Sequence, residues 1–303
     1  MRPSVRLARP LLRRARPTPT LPLTQLQPHP QQPPTLKPPT PKPFSITPHP
    51  SSVNSSSSVN PSEVSHFNAL ASTWWDPHGP SRILHLMNPL RHDFILSSLS
   101  SAPSSPPYPH RYLDIGCGGG IFAESAARLP TTTSVTGIDP TPNILAVAKA
   151  HAAKDPSLTK EKLRYLSATV ETLPEEEKGL YDVVTCFEVV EHVDHPAEFL
   201  DACGSFVRPG GWLVLSTIAR TWTSWVTTNL VAEDILGVVP KGTHDWNKYI
   251  NEEELRGHFR GWAGWGAPRV MGVVYVPGLG WKEVPGSEKI GNYFFAVQKV
   301  AGV

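Results

Sequence analysis

The sequence predicts an α/β protein with a seven-stranded, mostly parallel sheet, and three observations indicate this fold class. A short apolar strand, residues 111–115, runs into a glycine-rich turn that is followed by a segment of helical composition. Strand-like and helix-length segments then alternate as far as residue 217, which is typical of a parallel sheet covered by helices on both faces. Two further apolar runs near the carboxyl end lack a full helix between them, which favours an antiparallel edge.

The organised part of the chain begins near Glu63 with two helical segments that predict an amino-terminal cap. The first ends in an aromatic edge at Trp74-Trp75-Asp76, and the second runs from about residue 83 to residue 99. The predicted strands are 111–115, 134–138, 163–166, 181–187, 211–217, 269–276 and 292–298, with helices at 121–129, 143–153 and 196–206. We expect the last two strands to pair as a hairpin-like antiparallel edge.

The first 60 residues differ in composition from the rest of the chain. They carry eight Lys or Arg and no acid, whereas residues 61–303 carry 20 basic and 26 acidic side chains. Six arginines among the first 16 residues alternate with apolar residues, as in a mitochondrial transit peptide, although a generic basic tail would have the same charge. Residues 17–60 are rich in Pro, Gln, Thr and Ser, which predicts disorder. We therefore expect a transit peptide and disordered segment over 1–60 and one domain over 61–303.

Charge and cysteine content restrict the function further. A mildly acidic domain gives no reason to expect nucleic acid as a partner. The three cysteines lack the spacing of metal-binding pairs, so they indicate a reducing compartment without disulfides.

Residues 221–246 are predicted to form an insert that faces substrate or membrane. Its first part, Thr221 to Val239, combines two tryptophans and several aliphatic residues with two acids, so it is too polar to span a bilayer. It could lie on a membrane surface, cover a hydrophobic substrate, or be an ordinary helix packed on the sheet.

The glycine-rich turn, Asp114-Ile-Gly-Cys-Gly-Gly-Gly120, predicts a cofactor loop. A dinucleotide fingerprint would need its third glycine at position 121, which is isoleucine. Asp114 would repel a pyrophosphate but attract the ammonium and sulfonium groups of S-adenosylmethionine. We therefore expect Asp114 to face the cofactor ammonium, and Gly116 and Gly118 to let the backbone lie against its methionine part. The alternative is a plain glycine turn in another α/β protein.

Further candidate residues follow the second and fourth predicted strands. Asp139 ends the second strand, 23 residues after Gly116, where an acid holds ribose hydroxyls. Glu188, Glu191 and His192 stand at i, i+3 and i+4 after the fourth strand, so in a helix they would share one face. Two carboxylates and an imidazole can bind Mg²⁺, Mn²⁺ or Zn²⁺, and such an ion would acidify a coordinated catechol and orient its ring.

Several stretches in this order resemble the motifs of class I S-adenosylmethionine-dependent methyltransferases, whose fold is Rossmann-like. They are Asp114–Gly120, Gly137–Asp139, Phe187–Val193 and Arg208–Gly211. Three flanking segments, Phe67–Asp76, Leu84–Arg91 and Gly242–Ile250, are similar to the ubiquinone-biosynthesis O-methyltransferase family. The resemblance extends from about residue 63 to the end of the chain.

This resemblance implies two O-methylations of polyprenylated catechol-type ubiquinone precursors. It implies peripheral attachment to the matrix side of the inner mitochondrial membrane and other ubiquinone-biosynthesis proteins as partners in a complex. Arg91 would reach the carboxylate of S-adenosylmethionine, Phe187 would line the adenosine pocket, and Glu188, Glu191 and His192 match a divalent metal site. Similar Glu-His motifs also occur in metal-free class I enzymes, where the acids favour a helix amino end.

The general base and the catalytic competence of the chain stay open at this point. Candidate bases are His192, if it is not a metal ligand, and His244 or Asp245, which could instead stabilise a loop through hydrogen bonds. A methyltransferase acting on another small molecule and a non-catalytic scaffold that keeps the fold are the alternative functions.

Overall fold

The computed structural model describes residues 58–221 and 248–300. The predicted transit peptide, most of the predicted insert, and the candidate bases His244 and Asp245 lie outside the described residues. Every strand and helix named below belongs to the described part of the chain.

One mixed sheet organises the described residues. Its strands are β1 (His110–Ile115), β2 (Thr132–Asp139), β3 (Leu163–Ser167), β4 (Tyr181–Phe187), β5 (Val207–Ile218), β6 (Arg269–Val276), β7 (Gly280–Glu283) and β8 (Asn292–Gln298). Their order across the sheet is β3-β2-β1-β4-β5-β8-β6-β7. The first five strands run parallel, and β8, β6 and β7 pair antiparallel. The predicted α/β class is thereby confirmed.

The sheet has eight strands, so the expectation of seven is corrected. The additional strand, β7, spans only four half-exposed or exposed residues and pairs with β6 across a short turn. The sequence did not predict β7, because four residues that include Lys282 and Glu283 show no clear alternation of apolar and polar side chains. The expected antiparallel pairing of the last two predicted strands is observed, with Met271 opposite Phe294.

Helices cover both faces of the sheet. They are α1 (Pro61–Leu70), α2 (Arg82–Ser101), α3 (Ile121–Ala127), α4 (Pro142–Ala152), α5 (Pro196–Phe206) and α6 (Glu252–Gly261). Side chains that alternate along β1 enter different cores, because successive residues of a strand point to opposite faces. Leu113 packs in the core beneath α5 and α6, and Tyr112 packs in the core beneath α2, α3 and α4. None of the described helices combines the length and apolar character that a membrane crossing requires.

The amino-terminal cap packs over the beginnings of α3 and α4. Ala71 and Trp74, in the turn after α1, form a small core with Ile121 and Ile144. Strand register brings the carboxyl ends of β1, β2 and β4 together beneath this cap. Asp114 lies opposite Gly137 of β2 on one side and opposite Thr185 of β4 on the other.

Candidate functional site

A cavity of about 240 Å³ lies at the carboxyl ends of β1, β2 and β4. Its lining includes seven of the residues singled out from the sequence, namely Gly116, Gly118, Asp139, Phe187, Glu188, Glu191 and His192. Other lining residues come from the cap and from the segment 168–170 after β3. In parallel α/β sheets, this edge is where ligands bind.

Asp139 connects two loops of the cavity wall through its carboxylate. Its Oδ2 accepts a hydrogen bond of 3.0 Å from the Gly118 N–H, and its Oδ1 accepts one of 2.8 Å from the Thr141 N–H. Burial raises the pKa of Asp139, although these hydrogen bonds act in the opposite direction. Asp139 thus braces the glycine loop while it lines the cavity.

The glycines of the loop are required by packing within the chain as well as by backbone geometry. Gly116 and Gly118 have φ values of +68° and +51°, which favour glycine. A Cβ atom on Gly118 would lie 2.6 Å from Cζ2 of Trp74, and one on Gly116 would collide with Val189. Val189 and Trp74 therefore pack against faces of the loop that we expected to be open to a ligand.

Trp75 is a second tryptophan that contacts the glycine loop, and no sequence motif predicted this contact. Its indole Nε1–H donates a hydrogen bond of 2.8 Å to the carbonyl oxygen of Gly119. The indole stacks on His151 with ring centroids 3.5 Å apart and planes 5° apart. His151 Nδ1 lies 2.9 Å from the fully buried carboxylate of Glu124. This series of contacts holds the loop carbonyl from outside the cavity.

Arg91 and Asp114 lie in the buried layer next to the cavity wall. The guanidinium carbon of Arg91 is 4.8 Å from the centroid of the Phe187 ring, within cation–π range. Burial lowers the pKa of Arg91, while the charges of Glu188 and Asp114 raise it. Its Nε–H has no hydrogen-bond partner among the described residues. Because an unmet buried donor is costly, this group is suited to a ligand or water.

Asp114 is buried, and among the described residues its side-chain hydrogen-bond partner is Thr185. Its Oδ1 accepts a hydrogen bond of 2.8 Å from the Thr185 hydroxyl. Burial raises the pKa of Asp114 to about 7, against the opposing effects of Thr185 and Arg91. The carboxyl group is therefore only partly ionised at neutral pH, and a neighbouring cation would favour its charged form.

Glu188, Glu191 and His192 do not share a helix face, so that premise is corrected. Only Val190–His192 forms a single 3₁₀ turn, and Glu188 precedes it with a left-handed φ of +56°. The backbone N–H of Glu188 donates to the Ser216 carbonyl oxygen, which fixes this unusual conformation at the end of β4. The three side chains nevertheless line the same cavity.

The two carboxylates of this group are held by hydroxyls of β5. Glu188 Oε1 accepts a hydrogen bond of 2.6 Å from Ser216 Oγ, and Glu191 Oε2 accepts one of 2.9 Å from Thr217 Oγ1. Burial raises the pKa of Glu191 to about 7, and repulsion from Glu188 adds to this effect. Within residues 58–221 and 248–300, no three His, Cys, Asp or Glu side chains are arranged to hold a metal ion.

His192 contacts the cap through Glu63, which the sequence did not mark as a site residue. Its Nδ1 lies 3.0 Å from Glu63 Oε2. Burial lowers the pKa of His192, but the hydrogen bond to Glu63 and the charge of Glu191 outweigh burial and raise it overall. Glu63 and His192 are 129 residues apart, so no local sequence signal could have paired them.

Comparisons with known proteins support a methyltransferase fold. Residues 58–265 match a family model described as a methyltransferase domain. In the solved structures, the plantazolicin methyltransferase with a triazolic analogue and SAH aligns with a TM-score of 0.51 and 15% identity. The alignment covers 79% of this chain and 98% of that one. At this identity the likeness concerns the fold alone.

Two curated relatives are much more similar in sequence. The mitochondrial ubiquinone biosynthesis O-methyltransferase of Candida albicans is 40% identical over 291 residues, which cover 80% of this chain and 86% of that protein. The protein of the same name from Schizosaccharomyces pombe is 44% identical over 249 residues, covering 80% of this chain and 87% of the relative.

The substitution Asp114→Asn tests the buried carboxyl group. The pKa of Asp114 is about 7 in the folded protein against an ordinary 3.8. As pH rises, the carboxyl group of the unfolded chain therefore ionises before that of the folded protein. The free energy of unfolding should therefore fall as pH rises from about 4 to about 7, by on the order of 4 kcal/mol from this group. In urea unfolding at pH 5 and pH 8 without ligand, we expect a smaller loss for Asp114→Asn than for the wild type. Asp93→Asn, an exposed acid on α2, is the control, and equal losses in Asp114→Asn and wild type would refute the assignment.

The substitution Trp75→Phe tests the contact with the glycine loop. Phenylalanine keeps a ring against His151 but cannot donate to the Gly119 carbonyl oxygen. The lost bond of about 1 kcal/mol should raise the Kd for S-adenosylhomocysteine several-fold in titration calorimetry. Trp281→Phe is the matched control, because its Nε1–H donates to the carbonyl oxygen of Ile83, outside the loop. An unchanged Kd in Trp75→Phe would show that the loop does not depend on this bond.

Proposed function

Since this chain belongs to the ubiquinone biosynthesis O-methyltransferase family, we propose that it methylates catechol-type hydroxyls of polyprenylated ubiquinone precursors. The substrates are a polyprenyl dihydroxybenzoate and a demethylubiquinol, one for each O-methylation. The observation that carries this proposal is the shared cavity, since the glycine loop and Asp139 line the same space as Glu188, Glu191 and His192.

The residues of the cavity fit S-adenosylmethionine, which supplies a methyl group on a sulfonium. Asp139 would accept hydrogen bonds from the ribose hydroxyls, and Phe187 would line the adenosine pocket. The lining segment 168–170 offers further adenine contacts beside them. In the buried layer, Asp114 would meet the ammonium group and Arg91 the carboxylate, for which its unmet Nε–H is suited.

The acceptor must reach the methyl group as a phenolate in line with the bond that breaks. The methyl group would pass from the sulfonium to the phenol oxygen, and the phenol proton would have to leave. Among the described residues His192 is the candidate base that lines the cavity, provided that its Nε2 does not bind a cation. Since Nδ1 contacts Glu63, the proton would go to Nε2. His244 and Asp245 stay candidates from outside the described residues.

A divalent cation, preferably Mg²⁺, fits the donor chemistry of Glu188, Glu191 and His192. Two carboxylates and an imidazole suit Mg²⁺, Mn²⁺ or Zn²⁺. Repulsion from Glu188 raises the pKa of Glu191, and a cation between the two carboxylates would relieve it. Glu188 and Glu191 would have to share or leave their present partners, Ser216 and Thr217, whereas His192 could keep Glu63 at Nδ1 and bind the cation through Nε2. A bound cation lowers the pKa of a coordinated phenol, so it would assist phenolate formation.

The test is methyl transfer from labelled S-adenosylmethionine to a short-chain polyprenyl dihydroxybenzoate, with Mg²⁺ and with EDTA. Wild-type protein should give product that depends on Mg²⁺. Glu191→Gln should lower turnover and weaken Mn²⁺ binding, measured by electron paramagnetic resonance. The affinity should fall by at least about 10-fold, because loss of a direct ligand should cost no less than loss of an outer-shell partner. Glu198→Gln removes an exposed acid from α5 and serves as the matched control.

The outcomes separate the parts of this proposal. If the same amount of product forms in EDTA, the proposed methyl transfer is supported and the proposed role of the metal is contradicted. Absence of product, despite binding of S-adenosylhomocysteine, would exclude this substrate class and favour another small molecule or a non-catalytic scaffold.

We also propose that the protein acts in mitochondria, peripherally on the matrix side of the inner membrane. The arginine-rich amino terminus supports import, and the relatives from Candida albicans and Schizosaccharomyces pombe are named as mitochondrial. The residues 221–246 would contact the membrane or the polyprenyl tail, and other ubiquinone-biosynthesis proteins would be partners in a complex.

Removal of residues 1–50 tests the transit peptide. This boundary keeps Ser58 to Asn60, which line the cavity, so the shortened protein should retain methyl transfer. Import into isolated mitochondria should be lost, because the arginine-rich segment is missing. Substitution of only Arg2 and Arg6 by alanine is a milder variant that should reduce import. Undiminished import of the shortened protein would refute the proposal.

A further inference from the structure

We propose that Glu63 is the positioning residue for His192, a role that rests on the proposed part of His192 in methyl transfer. Glu63 belongs to α1 of the amino-terminal cap, whereas His192 follows β4 of the sheet. The cap would then act directly on the orientation of a reacting side chain, in addition to covering the cavity.

The contact has the geometry of a carboxylate–histidine pair. Glu63 Oε2 lies 3.0 Å from His192 Nδ1, and both residues line the cavity. The Phe67 and His192 rings are nearly perpendicular, at 82°, with centroids 5.1 Å apart. A partner at Nδ1 and an aromatic ring beside the plane together restrict rotation of the imidazole.

This geometry selects one tautomer of the neutral imidazole. A carboxylate can only accept, so Nδ1 must carry the proton that it donates to Glu63. Nε2 is then the nitrogen with a free lone pair, and it has no hydrogen bond to a described residue. A lone pair at Nε2 serves both roles considered for His192, since it can accept a phenol proton or bind a cation.

Glu63 also lies near a second group of charges, which does not contact His192. Lys248 Nζ lies 3.9 Å from Glu63 Oε1 and 3.5 Å from Asp194 Oδ1. Asp194 also accepts a hydrogen bond of 3.1 Å from the Asn60 side chain. These contacts hold the cap without touching His192, so they provide a control that separates docking of the cap from positioning of the imidazole.

The experiment compares Glu63→Ala, Glu63→Gln and Asp194→Asn in the full chain, by ¹⁵N NMR of the histidine side chains and by methyl-transfer kinetics. The signal of His192 among the 12 histidines is identified by its loss in His192→Gln. Spectra are recorded at a pH where the His192 ring is neutral. We expect the Nδ1–H tautomer in the wild type and in Glu63→Gln, since the amide oxygen still accepts a hydrogen bond.

In Glu63→Ala we expect a shift towards the Nε2–H tautomer. Its kcat should fall by about 10- to 100-fold, as for other outer-shell partners, with the KM for S-adenosylmethionine unchanged. Glu63→Gln should recover part of kcat, and Asp194→Asn should keep the tautomer and most of kcat. If Glu63→Ala fails to fold, the partial effect of Glu63→Gln on kcat and its retained tautomer carry the test.

Two results would overturn the inference. One is an Nδ1–H tautomer or an unchanged kcat in Glu63→Ala. The other is an equal loss in Asp194→Asn, which would show that the contacts only dock the cap. If the wild type transfers no methyl group, the proposed function fails, but the tautomer in Glu63→Ala still shows whether Glu63 positions His192.

Discussion

The hydrogen bond from the Gly118 N–H to Asp139 Oδ2 joins the two loops on which the rest of the site depends. It fixes the glycine loop after β1 to the end of β2, and Trp74 and Trp75 of the cap then pack on that loop. The same carboxylate lines the cavity, so one side chain both builds the site and is available to a ligand. The two hydrogen bonds from backbone N–H groups to this carboxylate offset part of the cost of burying its charge.

Buried charge is the second feature of the site. Asp114 and Glu191 both have pKa values raised to about 7, chiefly by burial, and Arg91 lies near both. This arrangement makes the ligand-free protein less stable than an apolar core would, because each charge lacks the full hydration of water. A ligand that carries an ammonium and a carboxylate, or a divalent cation, would supply counter-charges to these groups. We therefore expect the site to favour charged ligands, at the expense of stability without them.

The cap contributes chemistry to the cavity as well as packing. Phe67 and Trp74 provide apolar wall, while Glu63 contacts His192 at the end of β4. A helical segment that precedes the sheet in the chain thereby meets residues that lie more than a hundred positions later. The cap therefore contacts both the glycine loop and His192, two parts of the site that lie after different strands.

The sequence by itself determined the α/β class, the glycine loop, Asp139 and the cap, because strand periodicity, glycine spacing and helix composition are local properties. It also predicted that Glu188, Glu191 and His192 lie at one site. The reason given for this prediction, a shared helix face, was wrong, because Glu188 has a left-handed backbone and does not belong to a helix. The tertiary structure alone decided the eighth strand, the packing of Trp74 and Trp75 on the loop, and the pairing of Glu63 with His192. These features arise from contacts between distant segments, and only the folded chain specifies which segments meet.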